Sequence, residues 1–147
     1  MSEEVGEISA GRSAGDGERV VSGGTVDPVV DLAVLEAFAA EVDEPATVAA
    51  VLEAYLAQLP RRRADALAAV GRGDLGAAAG IGHALGPSSA MLGARRLASL
   101  AGDLERSARA GRVDGADGVR AVAERLSEEC GAVAAALGDW RRAAPPA

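Results

Sequence analysis

Apolar residues recur along this chain at intervals of three and four positions, which is the spacing of one face of an α-helix. The pattern is most regular between Leu75 and Leu92, where small or apolar residues recur in steps of three, four, three, four and three. Taken along the whole chain, the pattern predicts one short helix and four long ones, at residues 29–42, 46–70, 75–92, 94–110 and 117–140.

Residues that favour helix ends separate these segments. Asp27 and Pro28 suit the start of the first helix, Asp74 is the predicted N-cap of the third, and Gly111 suits the end of the fourth. Pro60 lies inside the second segment, where a proline removes a backbone hydrogen bond. We therefore expect Pro60 to kink or split that helix.

Four long amphipathic helices with short connections predict an all-α fold, an up-and-down antiparallel four-helix bundle with an additional short N-terminal helix. The predicted bundle covers residues 26–140. Residues 1–25 are rich in glycine, serine and glutamate without apolar periodicity, which predicts a disordered N-terminal tail. Residues 141–147 end in Pro-Pro-Ala and are expected to form a frayed C-terminus.

Composition and charge exclude several classes of function. The net charge of −7 argues against a nucleic-acid partner and against binding to an anionic membrane surface. Cys130 is the one cysteine, so an internal disulfide and a cysteine-cluster metal site are excluded, and we expect no metal site in this chain. Because no apolar run is long enough to span a bilayer and no secretory signal is present, we expect a cytoplasmic protein.

His83 is the one histidine of the chain, and its helical neighbours lack long side chains. It follows Gly82 of the apolar stripe and is expected to point to solvent. Exposed helix positions usually carry long polar side chains, so a bare stripe around an imidazole favours a surface that another protein approaches closely. The predicted docking surface consists of Gly76, Ala79, Gly80, Gly86, Pro87 and Ala90.

The sequence around His83 resembles the signature of histidine-containing phosphotransfer (HPt) domains. That signature reads His-x-Leu-Lys-Gly-Ser-(Ser/Ala)-x-x-Leu-Gly, and this chain reads His-Ala-Leu-Gly-Pro-Ser-Ser-Ala-Met-Leu-Gly from His83 to Gly93. Spaced leucines and a Leu-Glu pair at Leu104 follow in register. The resemblance extends to a Tyr-Leu-x-x-Leu-Pro stretch and to a Gly-Asp-Leu before the histidine helix, and it covers residues 26–137.

The resemblance implies a phosphorelay intermediate. His83 would accept a phosphoryl group from the aspartyl phosphate of a receiver domain and pass it to another receiver's aspartate, since neutral imidazole is a nucleophile near neutral pH. The implied partners are response-regulator receiver domains, a hybrid histidine kinase, or both. No cofactor is expected in this chain, because the receiver would supply Mg²⁺ and the acidic residues. The family expectation is a monomer.

Two signature positions differ here. The lysine three residues after the histidine is Gly86, and the following glycine is Pro87. That lysine would neutralise phosphoryl oxygens, so we expect Arg106 or Arg109 of the next helix to replace it, and Ser88 to be a hydrogen-bond partner near the site. Proline lacks the N–H that bonds the carbonyl of His83, so the helix is expected to be bent or locally unwound there.

Two interpretations remain open beside that of an unrelated helical bundle with a scaffolding use. The first is an active phosphotransfer module with His83 as the phosphoacceptor. The second is a degenerate HPt adaptor that docks receiver or kinase domains without carrying phosphate, which the replaced lysine and glycine favour. An enzyme is not expected, because one histidine and one cysteine far apart form neither a catalytic triad nor a zinc site, and no phosphate-binding loop is present.

Overall fold

The structure is a computed structural model that describes residues 28–143 of the chain. Over these residues it contains five helices and no strand, which confirms the predicted all-α class. The helices are α1 (Leu32–Val42), α2 (Pro45–Gly71), α3 (Leu75–Met91), α4 (Arg95–Arg109) and α5 (Val119–Ala143). The predicted N-terminal tail lies outside the described residues.

The four long helices close into an antiparallel bundle. Each packs on the next along the chain, α5 packs back on α2, and α1 packs on α2 and α3. Contacts between α2 and α5 give their direction: Arg141 pairs with Glu53 at 3.0 Å, and Nε of Arg63 donates to Oγ of Ser127 at 2.6 Å. Residue numbers therefore rise along α2 as they fall along α5.

Leucine, valine and alanine fill the interior of the bundle at the predicted helical spacing, and burial of this apolar surface is the main stabilising contribution. Cys130 is buried as predicted, and burial raises the pKa of its thiol to about 11. The largest fully buried side chains include Leu35, Leu52, Leu59, Leu92, Leu97, Leu104, Leu126 and Leu137.

The first helix starts later than predicted. Its N-cap is Asp31, whose side chain accepts a hydrogen bond from the N–H of Ala33 at 3.1 Å. Val30 is buried in the segment before this cap, so its apolar character contributed to the predicted helical pattern although its backbone is not helical. The N–H of Asp31 also donates to the carbonyl of Gly93 at 2.8 Å, which joins α1 to the turn between α3 and α4.

Both ends of the last helix differ from the prediction. It begins at Val119 rather than at Asp117, because the carbonyl of Asp117 accepts a hydrogen bond from Ser107 and the loop closes tightly around Gly118. It continues to Ala143, so the predicted fraying from residue 141 is wrong for residues 141–143, where the ion pair of Arg141 with Glu53 joins the last turn to α2. Residues 144–147 lie outside the described part of the chain.

The two prolines inside helices do not interrupt them. Pro60 lies within the continuous helix α2 and Pro87 within the continuous helix α3, so the predicted split at Pro60 and the predicted local unwinding at Pro87 are wrong. Both prolines are exposed, while buried residues continue on either side of each. Next to Pro87, the hydroxyl groups of Tyr55 and Ser89 form a buried hydrogen bond of 2.6 Å that joins α2 to α3.

Helices α3 and α4 approach each other closely at Gly82. A Cβ atom added there would lie 2.4 Å from the carbonyl oxygen of Ala101 and 3.0 Å from the backbone nitrogen of Glu105. No other residue type fits without moving one helix. Since α4 crosses α3 at the residue before His83, this contact determines which side chains of α4 lie beside the imidazole.

We predict that Gly82→Ala destabilises the fold and Gly80→Ala does not. The first change forces α3 and α4 apart, and overpacking of this kind costs about 1–3 kcal/mol. A Cβ at Gly80 meets nothing within 4 Å, so alanine there should stabilise the helix by about 0.5–1 kcal/mol. Urea unfolding of the two variants checks this, and equal free energies of unfolding would contradict the close approach.

A second prediction concerns Tyr55, the one tyrosine of the chain. Burial raises its pKa from 10.0 to about 12, and the hydrogen bond with Ser89 opposes this shift. Because the pKa is raised, the contribution of the buried, neutral Tyr55 to the stability of the fold is fully present below pH 10. It is lost as the pH rises through 12. Phenolate absorbance should therefore follow a midpoint near pH 12, with Tyr55→Phe as the baseline; a midpoint near 10 would show that the ring is not buried.

Candidate functional site

The imidazole of His83 projects from the middle of α3 into solvent. Its side chain is 74 % exposed. Helix α3 begins at the N-cap Asp74, whose carboxylate accepts from the N–H of Ala77 at 3.0 Å, and its buried side contains Ala78, Gly82, Leu85 and Ser89. With that side in the core, the helical period directs His83 outward, as the sequence predicts.

Glu105 of α4 lies beside His83. Nδ1 of His83 is 3.3 Å from Oε2 of Glu105, and the glutamate side chain is only 25 % exposed. The Gly82 contact produces this pairing, because it places the backbone of Glu105 against α3 at the level of the histidine. A carboxylate beside Nδ1 favours the tautomer with the proton on Nδ1, which leaves Nε2 with a free lone pair on the solvent side.

Arg109 completes this group of side chains from one turn further along α4. Its Nε and Nη2 atoms lie 3.0 Å and 2.9 Å from the same Oε2 atom of Glu105. The guanidinium is 63 % exposed. His83, Glu105 and Arg109 therefore form a continuous charged site in which one carboxylate contacts both the imidazole and a cation.

The Glu105 carboxylate is held in its ionised form. The hydrogen bond from Arg109 lowers its pKa below the ordinary value of 4.5, and the charge of His83 acts in the same direction. Because the pKa is lowered, the ion pair of Glu105 with Arg109 is fully formed above pH 4.5 and is lost as the pH falls through the lowered pKa of Glu105. At neutral pH the site therefore presents a carboxylate to His83.

The predicted docking surface divides into exposed and packed positions. Gly76, Gly80, Pro87 and Ala90 are exposed, as predicted. Ala79 is buried, which corrects its predicted exposure: it lies on the side of α3 that faces α4, where it packs near Ala108. An open cavity of about 390 Å³ adjoins this region and is lined by Leu75, Gly76, Ala79, Gly80, Ala108 and Arg109.

Arg106 and Ser88 do not contact His83. Arg106 pairs with Asp103 on its own helix, and it lines a different cavity of about 200 Å³ near the start of α5. The hydroxyl of Ser88 donates to the carbonyl oxygen of Leu85 at 3.2 Å. Of the two arginines that the sequence offers as replacements for the missing lysine, the structure brings Arg109 to the site and directs Arg106 elsewhere.

Gly86 is half-buried and faces α4, and an added Cβ would lie 3.9 Å from the Cβ of Ala101. This is an ordinary contact distance, so a Cβ atom at position 86 fits beside α4 without displacing it. The absence of lysine there is thus a property of this sequence and not a steric requirement of its fold.

The role of Glu105 as the neighbour of His83 does not follow from the sequence pattern. A chain reversal near Gly93 places Asp103, Glu105 and Arg106 at about the level of His83 on the next helix, but the sequence does not distinguish among them. The distinguishing signal is Gly82, because a glycine on the helix-facing side of His83 marks the point where α4 comes close enough for its next side chain to reach the imidazole.

Comparison with known proteins agrees with this geometry. A family model described as the Hpt domain matches residues 50–136. The crystal structure of histidine-containing phosphotransfer protein B (HptB) from Pseudomonas aeruginosa PAO1 superposes with a TM-score of 0.70 at 25 % identity, and the match covers 82 % of this chain and 100 % of that one. No match was found among curated proteins.

The chain therefore belongs to the Hpt domain family. Members of this family have a phosphotransfer role in two-component signalling, where they are phosphocarrier modules and interact with receiver domains and kinases. Over residues 28–143, no helix is long and apolar enough to cross a membrane.

We predict that Arg109→Ala raises the pKa of Glu105 toward 4.5, because the hydrogen bond that lowers it most is removed. Arg106→Ala is the matched control, since Arg106 pairs with Asp103 on the same helix. A carbon-13 titration of the carboxyl groups measures both. An unchanged Glu105 pKa in Arg109→Ala, or an equal rise in both variants, would contradict the contact.

Proposed function

We propose that this protein is a phosphorelay intermediate that accepts and donates a phosphoryl group on Nε2 of His83, with receiver-domain aspartates as donor and acceptor. The observation that carries the proposal is the contact of Nδ1 of His83 with Oε2 of Glu105 at 3.3 Å on an otherwise exposed imidazole. In the neutral imidazole this contact favours the proton on Nδ1, so the lone pair lies on Nε2 of an exposed ring, which is what a phosphoacceptor nitrogen requires.

The transfer step needs no proton acceptor in this chain. The lone pair of Nε2 attacks the phosphorus of the aspartyl phosphate, the bond from phosphorus to the aspartyl oxygen breaks, and the carboxylate leaves with that electron pair. The ring becomes cationic while it keeps the proton on Nδ1, and the Glu105 carboxylate stabilises this charge. Return of the phosphoryl group to a second aspartate reverses each change.

Arg109 is the residue that we assign to the phosphoryl oxygens in place of the absent lysine. It contacts Oε2 of Glu105 at 2.9 Å, and Glu105 in turn contacts His83. The exposed guanidinium at this position can turn to a phosphoryl group on Nε2, and arginine binds phosphate oxygens through two parallel N–H groups.

The partners in this proposal are receiver domains, a hybrid histidine kinase, or both, and they dock on the exposed face of α3 around His83. Gly76, Gly80, Pro87 and Ala90 leave this face free of long side chains. The receiver supplies Mg²⁺, which neutralises the phosphoryl oxygens in its own site. We place the exchange in the cytoplasm and expect the protein to act as a monomer.

A second candidate function rests on Gly86 and Pro87. Because these residues replace the lysine and glycine of the family signature, the chain fits an adaptor that binds receiver or kinase domains without carrying phosphate. The two functions differ in one observable, which is stable phosphate on His83.

The deciding experiment is a transfer assay. Receiver domains from the same genome are charged with acetyl phosphate and Mg²⁺ and incubated with wild type or His83→Gln, and acid-labile phosphate on this protein is measured. We expect label on wild type and none on the variant. Circular dichroism of His83→Gln is the control for folding, and the exposure of His83 means that this change should leave the fold intact.

The alternative outcomes separate the candidates. Binding of a receiver without label supports the adaptor function. Label that persists in His83→Gln contradicts His83 as the acceptor, and neither label nor binding with any receiver contradicts both functions.

The assignment of Arg109 has its own prediction. Arg109→Ala should slow transfer about tenfold, since a hydrogen bond to a charged group contributes about 1.5–3 kcal/mol and exposure reduces this. Gly86→Lys in the same background should restore the rate, because it returns the family's cation to a position with room for a side chain. Arg106→Ala is the matched control; a loss in Arg106→Ala equal to that in Arg109→Ala would refute the assignment.

A further inference from the structure

The backbone carbonyl of His83 has lost its ordinary hydrogen-bond donor. In an α-helix the N–H of the residue four positions later bonds this carbonyl, and here that residue is Pro87, which has no N–H. The helix nevertheless continues to Met91. The hydroxyl of the nearby Ser88 does not replace the missing donor, because it donates to the carbonyl of Leu85.

This carbonyl belongs to the exposed face of α3. A helical carbonyl points along the axis toward the residue four positions on, so the oxygen lies between His83 and Pro87, and both are exposed. In the free protein, water can satisfy it. A partner that covers His83 removes that water, and a buried carbonyl without a donor costs about as much as a lost hydrogen bond.

We propose that the freed carbonyl of His83 is a recognition element for the docking receiver domain, which must present a hydrogen-bond donor to it. The inference rests on the proposed function and adds a specificity rule to it. Receivers that place a backbone N–H or a polar side-chain donor opposite this oxygen bind more tightly than receivers with an apolar group there, because an apolar group leaves the desolvated carbonyl unpaired.

The same sequence offers a matched control. Pro60 is a second exposed proline inside a continuous helix, but it lies in α2, where it frees the carbonyl of Leu56 rather than that of the phosphoacceptor. Substitution of either proline restores a helical N–H. Only substitution of Pro87 restores it beneath the docking face.

One experiment observes the carbonyl directly. His83 is the one histidine, so labelling with carbonyl-carbon-13 histidine gives one backbone carbonyl signal. The probe is the receiver domain that exchanges phosphate with His83 in the transfer assay. We expect this signal to shift when the receiver binds wild type. In Pro87→Ala the signal should already be shifted in the free protein and change little on binding.

Binding measurements test the consequence for affinity. Pro87→Ala and Pro87→Val both restore the N–H, and valine also keeps a side chain of similar bulk. Both should weaken receiver binding about three- to tenfold, the factor that corresponds to one net hydrogen bond. Pro60→Ala should bind as wild type does.

Each remaining outcome counts against the proposal. A wild-type carbonyl signal that does not move at saturating receiver, or affinities of both Pro87 variants equal to wild type, overturns it. Weakening in Pro87→Ala but not in Pro87→Val assigns the effect to contact with the proline ring and also overturns it. If no receiver binds or exchanges phosphate, the proposed function itself fails, and this result is distinct from the others.

Discussion

The contact between Gly82 of α3 and the backbone of α4 is the constraint on which the site depends. Because no Cβ fits there, the two helices approach at the residue before His83, and the Glu105 backbone is fixed against α3. The position of one carboxylate beside the imidazole then follows from helix geometry. The packing of the two helices positions the backbones from which His83, Glu105 and Arg109 project, and the contacts among these side chains then orient the imidazole.

Charge is arranged differently here than in the family signature. The signature has a cation on the same helix as the histidine, whereas this chain has Gly86 there and an arginine, Arg109, on the neighbouring helix. A cation on a second helix is joined to the histidine only through Glu105, so its availability depends on the state of that carboxylate. The electrostatics of the site are therefore a property of the α3–α4 pair and not of α3 alone.

Most of the fold was predictable because it depends on local rules. Apolar spacing predicted the helices, and Asp74 and Gly111 mark helix ends where expected. The predicted start of the first helix was wrong because it depends on tertiary contacts. Asp31 caps α1 while its N–H donates to the carbonyl of Gly93, and Val30 is buried without being helical. At the site, the exposure of His83 was predictable from the apolar pattern of its own helix. Its pairing with Glu105 and the burial of Ala79 were not, because both depend on how closely α3 and α4 approach, and the pattern of one helix does not contain that distance.

The hydrogen bond from the N–H of Asp31 to the carbonyl of Gly93 places the start of α1 at the end of the bundle that contains the turn between α3 and α4. The described N-terminal residues lie at this end, and the pairing of Arg141 with Glu53 brings the last turn of α5 to the same end. The opposite end, with the 72–74 and 110–118 connections, has no chain terminus among the described residues. A fluorophore attached at residue 28 or 143 would thus lie at the end of the bundle that is remote from Arg109.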